Sequence, residues 1–144
     1  MTTLVAIGLG CTSAGVGSRP PTPEEGRVLD ALRRDSAAVD ACAARTRSSR
    51  DQRVYLDSEV DQPAVLLPGR TPPELPRRDG NAVVVVVVLP DGRPDLRTAA
   101  LVRATYFELG DSVLALVRRA RYRPAVLNGR PVAQCVIVPV TVRT

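Results

Sequence analysis

Six consecutive valines, Val83–Val88, flanked by Ala82 and Leu89, constrain the fold more than any other feature of this chain. β-Branched side chains are stiff about χ1 and fit a pleated surface, so a run of this length predicts a strand. Both of its faces are apolar, which places it in the middle of a sheet with cover on each side. Pro90-Asp91-Gly92-Arg93 follows, and Asp-Gly supplies the positive φ values of a tight hairpin turn. Pro94–Ala104 then reads as the returning strand. Leu96, Thr98, Ala100 and Val102 fall on one of its faces, and Arg97, Leu101 and Arg103 on the other.

Downstream the period changes. Leu109, Val113, Leu116, Val117 and Ala120 form a single apolar stripe at helical spacing, predicting a helix over Leu109–Arg121. Asp111 near its start and Arg118, Arg119 and Arg121 at its end match the helix dipole. Pro124 stops it, and Tyr122 is expected in the core between helix and sheet. Asn128-Gly129 turns the chain into a last strand, Val132–Val142. Proline cannot donate to a ladder, so Pro139 predicts that this strand lies at an edge or carries a bulge. An open edge is a template for pairing with another chain, unless the arm at 54–67 covers it. The candidate pairing residues are Gln134, Val136, Val138, Pro139 and Val140.

The first half is organised differently. Leu4–Gly10 is a short apolar run ending at Cys11, followed by a small, polar, Pro-containing tether to residue 22. An apolar run, a small residue and then Cys is similar to a bacterial lipoprotein signal, so Cys11 is a candidate for lipidation. An acyl chain there supplies membrane affinity at about 0.8 kcal/mol per buried CH₂. No basic residue precedes the run, and Gly8 stands where Leu is usual in such signals. No stretch reaches the roughly 20 apolar residues of a spanning helix. Thr22-Pro23-Glu24-Glu25 offers an N-cap, a proline at the first position and acids in the first turn. Val28, Leu29, Leu32, Val39 and Ala43 recur at roughly helical spacing, broken by Ser36, and predict one helix to near Arg45, within a helical segment 23–50. Residues 51–80 are a Pro-rich lead-in arm, extended at Val54–Leu56 and Asp61–Leu67. The segment 81–144 carries the strand–strand–helix–strand order.

Composition argues against catalysis. The sequence has no His and no Trp, and aromatics are 3% of it, so the commonest general base and metal ligand near neutral pH is missing. Asp57, Glu59 and Asp61 read as a solvated acidic face. Ser48 and Ser49 lie among arginines with no base partner at a useful spacing. No enzyme activity, cofactor or metal is expected. The net charge is +5 and all 20 basic residues are Arg, a usage that fits GC-rich coding. Without stacking aromatics or a recognition helix, nucleic acid is not an expected partner. Cys42 and Cys135 remain as an even pair, either bridged in an oxidising compartment or buried as two free thiols.

Several motifs in register carry a family resemblance. Gly92-Arg93-Pro94, the helix run Leu109–Arg119, Arg121-Tyr122-Arg123-Pro124-Ala125, Asn128-Gly129-Arg130-Pro131-Val132 and Val138-Pro139-Val140 resemble the C-terminal domain of TonB family proteins. Pro73-Glu74-Leu75-Pro76 resembles the lead-in to that domain, with Leu75 where an aromatic is usual. The resemblance implies an α+β fold: a three-stranded antiparallel sheet packed by a helix, in the order β-β-α-β, here preceded by a separate N-terminal helix. It also implies a periplasmic interaction module whose last strand takes up a segment of an outer-membrane receptor during energy-coupled transport. An envelope lipoprotein adaptor, structural and without a part in transport, is the alternative. A second copy of the chain is another partner that such an edge could take.

Overall fold

The computed structural model describes residues 4–7, 22–48, 52–67, 69 and 74–144. The valine run lies in a strand, β4 (Gly80–Val88), and its side chains alternate between two cores. Val84, Val86 and Val88 enter one and Val83, Val85 and Val87 the other, none more than 2% exposed. Both cores need covers, and the chain supplies one helix for each.

On the first face lies α3 (Phe107–Arg119). Its Leu109, Val113 and Val117, spaced i, i+4 and i+8, are fully buried against Val84, Val86 and Val88. Gly110 lets the helix settle on the sheet, since a Cβ there would come within 2.9 Å of the Ala104 Cβ. On the second face lies α2 (Ser36–Ser48), which places Ala38 and Cys42 beside Val83, Val85 and Val87. Cys42 is joined to Cys135 by a disulfide with Cα atoms 5.5 Å apart.

The single helix expected from Pro23 to near Arg45 is two. α1 (Pro23–Arg33) opens on a capping box: Thr22 Oγ1 accepts from the Glu25 amide, and the Glu25 carboxylate accepts from the Thr22 amide. It ends at Arg34. Asp35 then starts α2, its Oδ1 accepting from the amides of Ala37 and Ala38 at 3.0 and 3.2 Å. Arg103 Nε donates to Asp35 Oδ2 at 2.9 Å. The Ala38 amide, with Arg103, holds the Asp35 carboxyl below its ordinary range. An aspartate able to cap a new helix breaks the old one.

β5 (Pro94–Ala104) returns antiparallel to β4, with register shifts between Val83 and Val84 and between Val85 and Val87. Ala100 and Val102 reach the α2 core together, as the alternation predicts. Leu96 does not join them and is half exposed, because the shifts break the alternation. The connecting turn depends on Gly92, at φ +84°, where any Cβ would collide with the Tyr122 carbonyl oxygen.

The sheet is larger than the expected three strands, and it is mixed. β8 (Arg130–Arg143), β4 and β5 form the antiparallel core, with α3 following β5. β1 (Leu4–Ile7), β2 (Val54–Tyr55) and β7 (Ala125–Leu127) then add to β8, and β2 runs parallel to it. A separate pair joins β3 (Val65–Leu66) to β6 (Tyr122–Arg123). The added strands are two to four residues long, too short to show a period of their own.

Tyr122 is 3% exposed, and its hydroxyl donates to the Val117 carbonyl at 3.1 Å. Burial pushes its phenol above the ordinary value of 10.0. In alkali the unfolded chain ionises first, so this contribution to stability is complete below pH 10.0 and is lost as pH rises beyond it. Tyr122→Phe is expected to cost about 1 kcal/mol in urea unfolding at pH 7. It should also flatten the fall in stability above pH 10.0.

Candidate interaction edge

Two strand edges bear on partner binding, and they are built differently. The outer side of β5 carries no strand among the described residues. Its backbone is nevertheless poor for pairing. The bulges break the regular spacing of its donors and acceptors, and side chains engage parts of it. Thr98 Oγ1 accepts from the Val87 amide at 2.9 Å and donates to the Asp95 carbonyl at 2.7 Å. The Thr98 carbonyl accepts from Arg45 Nε of α2 at 2.9 Å. Bulges and charged side chains of this kind are how natural edges resist strand addition.

β8 is regular. It faces β4 without a register shift from Gly80↔Val142 to Val88↔Gln134. Its opposite side is an assembled rim. β7 pairs with Arg130–Val132, beyond the end of the β4 ladder, while β2 covers Ala133–Gln134 and β1 covers Val140–Arg143 in the register Leu4↔Arg143 to Ile7↔Val140. Between them, Cys135–Pro139 has no strand partner on that side among the described residues. The last strand is therefore an open edge only over Cys135–Pro139, the stretch that holds Pro139, and is covered on either side of it. A proline marks a position where one ladder bond is dispensable, and it does not say which neighbours the strand has.

The five predicted pairing residues are brought together on this strand, with their side chains buried. Val136, Val138 and Val140 belong to the α3 core, and Pro139 is buried as well. Gln134, 2% exposed, is fixed at both ends: its Oε1 accepts from the Ala64 amide at 2.8 Å, and its Nε2 donates to Asp57 Oδ1 at 3.4 Å. These side chains hold the strand flat from below, leaving its main chain as the chemistry that it can offer. Val142 and Arg143, also on the rim, lie beyond the predicted pairing stretch, Gln134 to Thr141. The signal for them is the apolar run at Leu4–Ile7, which in the sequence reads as part of a leader. Cys11, the lipidation candidate, lies outside the described residues.

Other chemistry is thin. No cluster of metal-ligating side chains occurs among the described residues, and no helix there is long and apolar enough to cross a membrane. Asp79, the other carboxyl held below its ordinary range, accepts from the amide and hydroxyl of Thr144 and so pins the end of the chain beside β4.

The antiparallel β5-β4-β8 unit with α3 across it is the arrangement that the sequence motifs implied, and the family comparison decides its kinship. The family model described as Gram-negative bacterial TonB protein C-terminal matches residues 75–142. Residues 75–142 are a TonB C-terminal domain. Comparison with the curated proteins and with the solved structures found no significant match. TonB C-terminal domains are periplasmic protein-interaction domains of Gram-negative bacteria that engage outer-membrane receptors, and they are not known as enzymes. In this TonB C-terminal domain the match begins at Leu75, just before β4, and ends at Val142, the penultimate residue of β8. β1, α1, α2 and β2 lie upstream of the matched residues.

Proposed function

We propose that this chain is a periplasmic interaction module that pairs the rim of β8 with an extended segment of an outer-membrane receptor in energy-coupled transport. One observation supports this above the others: the rim of β8 already accepts short added strands, in either direction, on a regular ladder. Main-chain hydrogen bonds give such pairing its affinity, and the side chains flanking the rim give it selectivity. The disulfide suits an oxidising compartment.

The alternative, an envelope lipoprotein adaptor, rests on Leu4–Cys11 serving as a leader. Lipoprotein maturation cleaves before the modified cysteine, which would carry Leu4–Ile7 away. The pairing of those residues with β8 is a competing use for them, and receptor pairing is the reading retained. Intact-mass analysis of the chain recovered from an envelope fraction separates the two, with Leu4–Ile7 expected to be present and Cys11 unmodified.

The direct test is a titration of the folded chain with labelled N-terminal segments of outer-membrane receptors, read by fluorescence anisotropy. At least one segment is expected to bind saturably below about 100 μM, the range of short peptides added to a sheet edge. Absence of binding at high micromolar peptide, with the chain shown to be folded by circular dichroism, would sink the proposal.

A further inference from the structure

We infer that Leu4–Ile7 is a placeholder strand, an internal occupant of the receptor-pairing rim that an incoming segment must displace. The inference rests on the proposed pairing function and adds its regulation.

The geometry is specific. β1 runs antiparallel to the last part of β8, with Leu4 opposite Arg143, Val5 opposite Val142, Ala6 opposite Thr141 and Ile7 opposite Val140. On their other side Val140, Thr141 and Val142 pair with Ala82, Asn81 and Gly80. Thr141 and Val142 are buried. The rim beneath β1 is therefore held rigid by β4 whether or not β1 is docked. A strand can leave such a rim without unmaking the core.

Its energetics favour exchange. Ordering a residue's backbone costs about 1–2 kcal/mol, while a net hydrogen bond returns about 0.5–1.5 kcal/mol. A four-residue strand is close to neutral on that comparison. It stays docked because residues 8–22 tether it to α1, which lies against β8. A tether of this kind raises the local concentration of the strand to roughly the millimolar range. That suffices to cover a bare apolar rim against indiscriminate strand pairing. It does not suffice to hold off a longer partner. The displacing partner is an extended, Pro-free, apolar segment like Leu-Val-Ala-Ile, able to run past Val140 along Cys135–Pro139, which has no second strand partner among the described residues.

The test uses the full chain carrying Val5→Pro and Ala6→Pro. Consecutive strand residues point their N–H groups to opposite sides, so the double variant removes a bond to β8 whichever residue supplies it. The probes are a labelled peptide of residues 2–8 and the receptor segments. If β1 is docked about 90% of the time, both probes should bind the variant about tenfold more tightly than the wild type. Equal binding of the residue 2–8 peptide to the two chains, or binding to neither, overturns the inference. Receptor segments that bind both chains equally leave the pairing function standing and remove the placeholder. The residue 2–8 peptide favouring the variant while no receptor segment binds leaves the placeholder standing and removes the receptor. Should the prolines unfold the chain, amide exchange on the wild type decides. Added receptor segment should strip protection from Leu4–Ile7 while Val140–Arg143 keep theirs, and retained protection at Leu4–Ile7 overturns the inference.

Discussion

Val86→Asp is expected to leave no folded chain at 25 °C. Val86 sits in the middle of β4, fully buried, in the core closed by α3. The acid would enter a layer of Val84, Val88, Val136, Val138 and Val113. An unpaired carboxylate there either remains charged without solvent or takes up a proton and still lacks partners, and either route costs several kcal/mol. The whole stability of a domain this size is about 5–15 kcal/mol. Val86→Thr keeps the shape and buries one hydroxyl, for about 1–3 kcal/mol, and should still fold. Val86→Ala leaves a small void and should fold as well. Far-ultraviolet circular dichroism with urea melts separates the three. A folded Asp variant would mean that β4 is not covered on both faces.

Removing the disulfide is expected to cost about 2–5 kcal/mol. Cys42 and Cys135 are 93 residues apart in sequence, so their bond closes a long loop and restricts the unfolded chain strongly. The chain-entropy relation puts the ceiling near 4.7 kcal/mol for a loop of about this size. The bond also ties α2, which lies upstream of the family-matched residues, to β8 within them. Cys42→Ala with Cys135→Ala, or reduction of the wild type, should lower the melting temperature by roughly 5–15 °C, at about 2–4 °C per kcal/mol for a chain of this length. α2 should lose amide protection before the β5-β4-β8 sheet does. Uniform loss would mean that α2 is held by its apolar contacts alone.

The parts of this fold legible in the sequence are those in which side-chain period and local turn chemistry agree. The valine run, Asp91-Gly92, the α3 stripe and Asn128-Gly129 each carry their own signal, and Asn128 and Gly129 both adopt positive φ. Tyr122 is legible as a core residue because it follows the α3 stripe where the chain turns back towards the sheet. The break at Asp35 shows in the sequence only as the interruption of the apolar spacing at Ser36, because Val28, Leu29, Leu32 and Val39 keep a helical spacing on either side of it. Cover of β8 by the arm at 54–67 is an expectation that β2 meets in part, and its other neighbours are hidden for a different reason. Strand pairing is a long-range contact, and segments as short as Val54–Tyr55 are strands only because β8 is beside them. Leu4–Ile7 reads in the sequence as part of a leader, and the same length and apolarity suit the strand that it forms. The β5 irregularity opposite Val85–Val87 falls where Thr98 substitutes its hydroxyl for a backbone acceptor, which alternation alone does not reveal.

The choice between the two edges comes down to which amides a partner touches. A receptor segment added to the ¹⁵N-labelled chain should shift the amides of β8 between Cys135 and Arg143 and those of Leu4–Ile7, leaving β5 unchanged. Shifts confined to the outer side of β5, from Leu96 to Arg103, would contradict the assignment of β8 as the pairing strand.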